Sequence, residues 1–510
     1  MTLSQTVGQR FCVGFATPEV PKDFRAFVRK TQIGSVILFS HNITSVSQVR
    51  ALCGELQAIF MEETGRPGII MADQEGGTVR RMPSDAVLMP GAMALAAAGG
   101  QDIRTASRIA GEELAAVGIN MNLAPVADVN SSPVNPVISV RSYGDVPSRV
   151  GEACEQAILG LHDAGIYSCA KHFPGHGDTN IDSHLDLPMV DKPLEEMEKV
   201  ELVPFKAAIR AGTDAVMTTH ILFPQLESEK IPATMSRTIM TGLLREKLGF
   251  EGLILSDCMM MNAIKEFYGT VEGCLAAVKA GVDIVLVSHS MDLMLEAWER
   301  VMQEAEAGNL DLDEMEACAK RVLRYREAAP TFLGDISQVG TKEHFDAAQA
   351  MMDSAICSVG PEAPKPTARS LFVSPVPSLA AKVSDAIDPA LTFPGAMTMA
   401  FGGEGMLLSP DPTEEEIGNA VEKAKASDAV FLGTVSALRH PGQQRLMEAL
   451  MALEKPMAVI TLRDPYELKL LRDGVSGLAA FAYNRMSLES VQKVLSGKLI
   501  PTGKLPVKLK

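Results

Sequence analysis

The chain has 510 residues, more than one ordinary domain contains, so two domains are expected. Its content of 46% hydrophobic and 22% charged residues is typical of a globular protein. The net charge of −16 argues against nucleic acid or an anionic membrane as a partner, because both would repel the chain on average. No uninterrupted apolar segment reaches the roughly 18 residues of a membrane span.

The N-terminus and the cysteines both indicate a reducing compartment. Met1–Gly8 has neither the basic region nor the apolar core of a secretory signal. The eight cysteines form no CxxC pair, and several lie inside apolar runs. They are therefore interpreted as buried thiols rather than as disulfides or zinc ligands, and the protein is expected to be cytoplasmic.

Eight apolar segments in the first 330 residues are candidate strands. None alternates strictly between apolar and polar residues, which is typical of strands buried on both faces. Helical segments separate them, among them Gln101–Val117 and Val150–Ala164. We predict an α/β fold with a (β/α)8 TIM-like barrel at residues 1–330; a doubly wound open sheet is the alternative, weakened by the lack of a GxGxxG turn. The strand candidates are Arg10–Phe15, Ser35–Phe39, Ile69–Asp73, Asn120–Asp128, Tyr167–His172, Ala215–Thr219, Leu253–Asp257 and Asp283–Val287.

Polar residues follow six of these eight strands, at the end where a barrel keeps its catalytic groups. Any single polar loop is ordinary, but the repetition favours one shared site. The residues are Asp73 and Glu75 after the third strand, Asp128 and Asn130 after the fourth, Lys171–His184 after the fifth, His220 after the sixth, Asp257 after the seventh, and Ser288 and His289 after the eighth.

A connecting segment and a second domain are predicted beyond the barrel. Residues 331–365 are rich in Gly, Pro, Ser and charged residues and are interpreted as a linker. Residues 366–510 are expected to form a smaller α/β sandwich, which has one histidine, His440, and no cluster of titratable groups. Its candidate strands, which alternate with helical segments, are Ser370–Val373, Met397–Phe401, Ala429–Gly433, Met457–Leu462 and Leu478–Ala482.

The segment Lys171–His184 concentrates three of the nine histidines. Asp182 lies two residues before His184, and a carboxylate beside an imidazole fixes the tautomer and raises the basicity of the ring. Such a histidine is suited to general acid and base catalysis near neutral pH. A zinc site is the alternative, although the HxH pattern that many barrel hydrolases carry after the first strand is absent. Its candidate ligands are His172, His176, Asp178, Asp182 and His184.

Four other residues are candidate site residues. Asp257 closes the apolar strand Leu253–Asp257 with no obvious local partner, which suits a nucleophile, although an Asp there could also cap the next helix. Asp73 and Arg81 flank paired glycines and could hold vicinal hydroxyls between them. Arg141 begins the run Arg-Ser-Tyr-Gly, which is a weak signal alone.

These motifs resemble those of the β-N-acetylglucosaminidases of glycoside hydrolase family 3. The run KHFPGHGDTNIDSH from Lys171 to His184 carries most of the resemblance, and it is highly specific. Asp73–Gly77, Arg141–Gly144 and Ser256-Asp257 are similar to the other family motifs, in the same order, and the C-terminal run Gly497–Pro506 is similar to the family's second domain. Cys258 is a departure, since relatives often carry Asp or Ala at that position.

The resemblance implies a role for each matching residue. Asp257 would be the nucleophile, and His184 paired with Asp182 would be the acid/base. Asp73, Arg81, Arg141, Lys171 and His172 would bind the sugar at the non-reducing end, while His176 and Asp178 would shape the loop. No metal or organic cofactor is implied.

The implied activity is exo-hydrolysis of N-acetyl-β-D-hexosaminides by a retaining mechanism. The substrate would be a small sugar or glycopeptide, such as a muropeptide from cell-wall turnover or a chitin fragment. A phosphorylase of the same family is the first alternative, since a histidine acid/base adds no charge that would repel phosphate. A β-glucosidase, a metal-dependent hydrolase and an inactive sugar-binding protein are further alternatives. The oligomeric state is not determined by the sequence.

Overall fold

Eight parallel strands close into a barrel in the computed structural model, which describes residues 1–179, 187–331, 334–376 and 390–509. The strands are β1 (Phe11–Val13), β2 (Ser35–Leu38), β3 (Ile69–Ala72), β4 (Met121–Asn122), β5 (Tyr167–Phe173), β6 (Ala215–Thr218), β7 (Leu253–Cys258) and β8 (Ile284–Val287). Because β1 pairs in parallel with both β2 and β8, the sheet has no free edge. The predicted barrel is confirmed, and the open-sheet alternative is wrong.

The fourth strand is much shorter than predicted. The sequence indicates a strand over Asn120–Asp128, but regular pairing is confined to Met121–Asn122. Pro125 lies in the middle of the predicted strand and has no N–H to donate. The chain beyond it makes only an isolated bridge between Val126 and Lys171.

The lack of alternation in the strand sequences follows from burial on both faces. One set of strand residues fills the barrel interior, as in other barrels of this architecture. The intervening residues, such as Val36 and Leu38, pack outward against the helices. The interior cluster contains Cys12, Ile37, Ile69, Met71, Met121, Leu123, Cys169, Ala215, Met217, Leu253, Leu255, Ile284, Leu286 and Val322.

Helices surround the barrel, and the two helices predicted at 101–117 and 150–164 lie at Ile103–Val117 and Pro147–Asp163. None of the helices in the described ranges is both long and apolar enough to cross a membrane. The helices of the barrel are α1 (Leu3–Gly8), α2 (Phe24–Thr31), α3 (Val46–Thr64), α4 (Ala92–Ala97), α5 (Ile103–Val117), α6 (Pro147–Asp163), α7 (Leu194–Met197), α8 (Leu202–Arg210), a π-helix (Thr238–Lys247), α9 (Asn262–Lys265), α10 (Thr270–Ala280), α11 (Met291–Glu306) and α12 (Leu312–Ala328).

A second, six-stranded sheet follows the barrel, as the sequence predicts. Its strands are β9 (Cys357–Val359), β10 (Leu371–Pro375), β11 (Glu404–Leu408), β12 (Val430–Thr434), β13 (Met457–Thr461) and β14 (Ser476–Ala479). Their order is β11-β10-β12-β13-β14-β9, and only β9 runs antiparallel to its neighbour. The accompanying helices are α13 (Lys342–Ala355), α14 (Phe393–Phe401), α15 (Glu414–Ala426), α16 (Pro441–Met451) and α17 (Arg485–Leu495).

The prediction of a strand at Met397–Phe401 is wrong, because this apolar run is the second half of α14. Thr392 caps the helix by accepting a hydrogen bond from the amide of Gly395. Phe393 and Met397 then share the buried face of the helix. The edge strand β11 is missing from the predicted set, since four of its five residues are not buried and its hydrophobic signal is weak.

The segment between the two sheets has structure of its own. Helix α13 and strand β9 lie within residues 331–365, and β9 completes the second sheet by pairing with β14. Met93, Ala97 and Val140 of the barrel pack in the same apolar cluster as the inner face of that sheet. The two sheets are therefore joined through a shared hydrophobic core.

Candidate active site

A buried ammonium group joins two carboxylates at the carboxyl ends of β3 and β5. Lys171 Nζ lies 2.7 Å from Asp73 Oδ1 and 2.7 Å from Glu75 Oε1. Its side chain is only 2% exposed, so these contacts replace its hydration. Although burial alone would lower the pKa of Lys171, the two carboxylates raise it above the ordinary value and keep the group charged.

Two arginines hold the same carboxylates from the other side. Arg141 donates from Nε and Nη2 to the two oxygens of Glu75, both at 2.8 Å, in a bidentate pair. Arg81 Nη2 lies 3.3 Å from Asp73 Oδ2. Burial by itself would raise the pKa of Glu75, but Arg141 and Lys171 hold it well below its ordinary value. The network is thus ionised and fixed in position before any ligand binds.

A second buried pair orients His172. Its Nδ1 lies 2.8 Å from Asp128 Oδ2, and the carboxylate also accepts the amide of His176 at 2.6 Å. Asp128 is fully buried, and the neighbouring His172 lowers its pKa against the effect of burial. Because Nδ1 donates to Asp128, Nε2 is the nitrogen with which a neutral His172 can accept a hydrogen bond from a ligand.

The loop after β5 is anchored at its start. His176 Nδ1 lies 3.1 Å from Thr179 Oγ1, and burial lowers the pKa of His176 to about 4, so its ring is neutral at physiological pH. Lys192 joins Asp178, at 2.7 Å, to the buried Glu201. The predicted acid/base pair, Asp182 and His184, lies outside the described residues.

Asp257 lies at the carboxyl end of β7 and is partly exposed. Its Oδ1 accepts the amide of Cys258 at 2.6 Å, and among the described residues no cation forms an ion pair with it. His220 follows β6, and its Nε2 donates to the carbonyl of Cys258 at 3.0 Å. Since a carbonyl only accepts, Nε2 of His220 carries the proton. Burial lowers the pKa of His220, which leaves a neutral ring beside the Asp257 carboxylate.

Barrel closure brings most of the sequence-predicted site residues to one face. Asp73, Arg81 and Lys171 are in one ion-pair network, and Arg141 joins it through Glu75. His172 lies next to Lys171 but pairs with Asp128, and Asp257 is separated from β5 by β6.

Two central residues, Glu75 and Asp128, were recognised in the sequence only as polar residues after strands. Glu75 accepts hydrogen bonds from Lys171 and Arg141, while Asp128 orients His172. A signal for them exists in the sequence, because both are carboxylates placed at the end of a predicted buried strand. Their partners, however, come from other strands and become visible only when the barrel closes.

Within the described residues, no group of three or more His, Cys, Asp and Glu side chains is arranged to hold a metal ion. Of the five candidate zinc ligands, His172 and His176 have ring centroids 5.7 Å apart, and Asp178 is paired with Lys192. The remaining two, Asp182 and His184, are outside the described residues.

Comparison with known proteins gives consistent matches over the chain. The model of the glycosyl hydrolase family 3 N-terminal domain matches residues 2–325. A β-hexosaminidase A from Pseudoalteromonas piscicida is 30% identical, with 99% of this chain and 97% of that protein covered. The structure of a family 3 β-N-acetylglucosaminidase from Paenibacillus sp. str. FPU-7 is 34% identical and superposes with a TM-score of 0.92 over 100% of this chain and 99% of that one. The resemblance inferred from the motifs is thereby confirmed.

Proposed function

Because this chain belongs to glycosyl hydrolase family 3 and is a glycoside hydrolase, we propose that it is a retaining exo-β-N-acetylglucosaminidase. The observation that supports this proposal most is the buried ion-pair network of Asp73, Glu75, Arg141 and Lys171. The network offers cationic hydrogen-bond donors and carboxylate acceptors in fixed positions at the carboxyl face of the barrel. Such groups suit the hydroxyls of a single terminal sugar ring.

In the proposed mechanism the terminal N-acetylhexosamine is held by Asp73, Arg81, Arg141, Lys171 and His172. The Asp257 carboxylate attacks the anomeric carbon, and protonated His184 gives its proton to the departing glycosidic oxygen. This step leaves a glycosyl ester on Asp257 and a neutral imidazole. His184 then takes a proton from water, whose oxygen attacks the same carbon and releases Asp257.

The Asp182–His184 pair takes the place of the second carboxyl group that retaining glycosidases usually have about 5–5.5 Å from the nucleophile. A neutral imidazole can accept a proton without adding a second anion near Asp257. The negative charge of Asp257 is then the main stabiliser of the oxocarbenium-like transition state. The mechanism needs no metal or organic cofactor.

The proposed natural substrate is a muropeptide fragment, with a short chitin fragment as the second possibility. Proteins similar to this chain carry the names β-hexosaminidase A and β-N-acetylglucosaminidase. The buried base of the site, where Lys171 and Glu75 are 2% and 6% exposed, favours a pocket for one terminal ring over a long cleft. The cytoplasm is the compartment that we predict from the sequence.

The test is a comparison of products from chromogenic β-glycosides. We expect release of N-acetylglucosamine from the N-acetylglucosaminide and much slower cleavage of the matching glucoside. With phosphate present, free N-acetylglucosamine rather than its 1-phosphate is expected. Formation of the 1-phosphate would identify a phosphorylase, and loss of activity with a chelator followed by recovery with zinc would identify a metal-dependent hydrolase.

A further inference from the structure

Three rings form a cluster at the mouth of the barrel that the proposed chemistry does not use. Phe39 follows β2, His41 lies two residues further, and His289 lies two residues after β8. The ring centroid of Phe39 is 4.6 Å from that of His289 and 5.7 Å from that of His41, with which it is nearly parallel. The two imidazoles are themselves 6.2 Å apart.

The cluster is connected to the sugar site through Arg81. The guanidinium carbon of Arg81 lies 5.5 Å from the centroid of the Phe39 ring, and its Nη2 lies 3.3 Å from Asp73. On the other side, His289 follows β8, the neighbour of strand β7, which carries Asp257. In the closed barrel, β8, β1 and β2 lie between β7, which carries Asp257, and β3, which precedes Asp73, so the rings lie between these two carboxylates at the carboxyl face.

The exposure of the rings distinguishes them from core packing. Phe39 is half-buried under its neighbours, whereas His41 and His289 are exposed. A cluster that served only the fold would be expected to bury its rings. Two imidazole faces at the rim, over a fixed phenyl ring, provide the kind of surface on which the C–H face of a sugar stacks.

Hydrogen bonding and charge keep this surface in one state. His41 Nε2 lies 3.0 Å from the carbonyl oxygen of Phe15, which can only accept, so this nitrogen is protonated and the ring is held. Burial, His41 and Arg81 lower the pKa of His289. A neutral His289 avoids repulsion with Arg81 and keeps its face available for stacking.

We propose that Phe39, His41 and His289 bind the first sugar ring of the leaving group, on the far side of the bond that is cleaved. This inference rests on the proposed glycosidase function. A platform of three rings suits one pyranose, so the preferred leaving group is a single sugar rather than a long oligosaccharide.

The experiment compares two substrates that share the terminal N-acetylglucosamine but differ in leaving group. N,N′-diacetylchitobiose releases a sugar ring, whereas N-acetyl-β-glucosaminyl azide releases an ion without a ring. For His289→Ala we expect kcat/KM on the disaccharide to fall about fivefold, the size of one lost aromatic contact, with the azide changed less than twofold. His289→Phe should retain the preference for the disaccharide, and His440→Ala, in the second domain, should leave both substrates unchanged.

An equal fall on both substrates would overturn the inference, because the ring would then support the site rather than the leaving group. No fall on either substrate would overturn it as well. If the unaltered protein cleaved neither substrate, the proposed function itself would fail, and the leaving-group site with it. Selective loss on the disaccharide with retention in His289→Phe is the result that supports the platform.

Discussion

At the scale of single residues, Lys171 is the centre of the ion-pair network to which we assign sugar binding. Three cations and two carboxylates meet there, and Lys171 and Arg141 reach their carboxylate partners from other parts of the barrel. Removing one partner of a buried ion pair lowers the free energy of unfolding far more than removing one partner of an exposed pair, because the remaining charge stays buried. Glu75 is the most sensitive member, since it forms the bidentate pair with Arg141 while also contacting Lys171.

Glu75→Gln therefore tests the network. We expect the free energy of unfolding to fall by about 2–4 kcal/mol, because Arg141 and Lys171 keep their charges but lose a common anion. The matched control is Glu299→Gln, which removes an exposed carboxylate paired with Lys30 at 2.7 Å and should cost at most about 1 kcal/mol. Denaturant unfolding of both variants measures the difference, and equal losses would contradict the burial argument.

The residues that the proposed mechanism uses stand out in the sequence at this scale, but their pairings do not. Asp73, Lys171 and Asp257 stand out because titratable groups end apolar strands. Glu75 bridges Arg141 to Lys171, and Asp128 orients His172. Both arrangements depend on contacts between residues far apart in the chain. A single sequence does not specify which of several strand-end carboxylates each cation will meet.

At the scale of elements, irregular strand pairing coincides with the candidate site. The register shifts between Lys171 and Phe173 in β5 and between Leu255 and Cys258 in β7. Such irregularities redirect side chains at the rims of barrels. The loop after β5 is also pressed against the loop after β4, where a Cβ built on Gly177 would lie 1.6 Å from the carbonyl oxygen of Val129.

Gly177→Ala is expected to displace the loop that carries the predicted acid/base pair. The clash is with backbone, so the loop has to move, and a shift of about 1 Å can reduce kcat/KM about 100-fold. Gly418→Ala is the control, because its Cβ would meet nothing within 4 Å in helix α15. It should leave activity unchanged and stabilise the protein by up to about 1 kcal/mol. Unchanged kcat/KM in Gly177→Ala would refute the tight packing of the two loops.

The sequence predicts where elements occur better than it predicts whether a short apolar run is a strand or a helix. All eight barrel strands are found near the predicted positions, because each is an apolar run between helical segments. The run Met397–Phe401 was misassigned because a short apolar segment fits a buried strand and a buried helix face equally well. Its N-cap, Thr392, and Pro394 in the first turn were the local signals for a helix.

At the scale of the whole molecule, the second domain contacts the loop that presents Arg141. Ser139, two residues before it, donates to Asp464 of the second domain. Asn130 donates to the hydroxyl of Tyr466 at 2.6 Å. The docking of the domains thereby holds the barrel loops around Arg141, a role that the sequence of the second domain, with its lone His440, did not indicate.

The same interface contains a buried carboxyl group, that of Glu467, with a raised pKa. Burial and the neighbouring Asp464 raise the pKa of Glu467 from its ordinary value of 4.5 to about 8. The folded protein therefore binds this proton in a range where the unfolded chain releases it. Between these two values the free energy of unfolding decreases as pH rises, by at most about 1.4 kcal/mol per pH unit.

Glu467→Gln should remove this pH dependence while keeping the oxygen that accepts the amide of Ala437. We expect the variant to gain stability over the unaltered protein as pH increases from 5 to 8, with the largest gain at the upper end. Denaturant unfolding of both proteins at several pH values measures this difference in the free energy of unfolding. A gain that is constant across this range, or that is larger at pH 5, would contradict the raised pKa.

The central claim is that Asp257 forms a covalent bond to the sugar. Intact-protein mass spectrometry after reaction with an activated 5-fluoro N-acetylglucosaminyl donor tests it directly, since the fluorine slows breakdown of the glycosyl ester. We predict one added sugar, located on Asp257 by peptide mapping, and no adduct in Asp257→Asn. A sugar attached to any other residue, or an adduct that persists in Asp257→Asn, would contradict the mechanism.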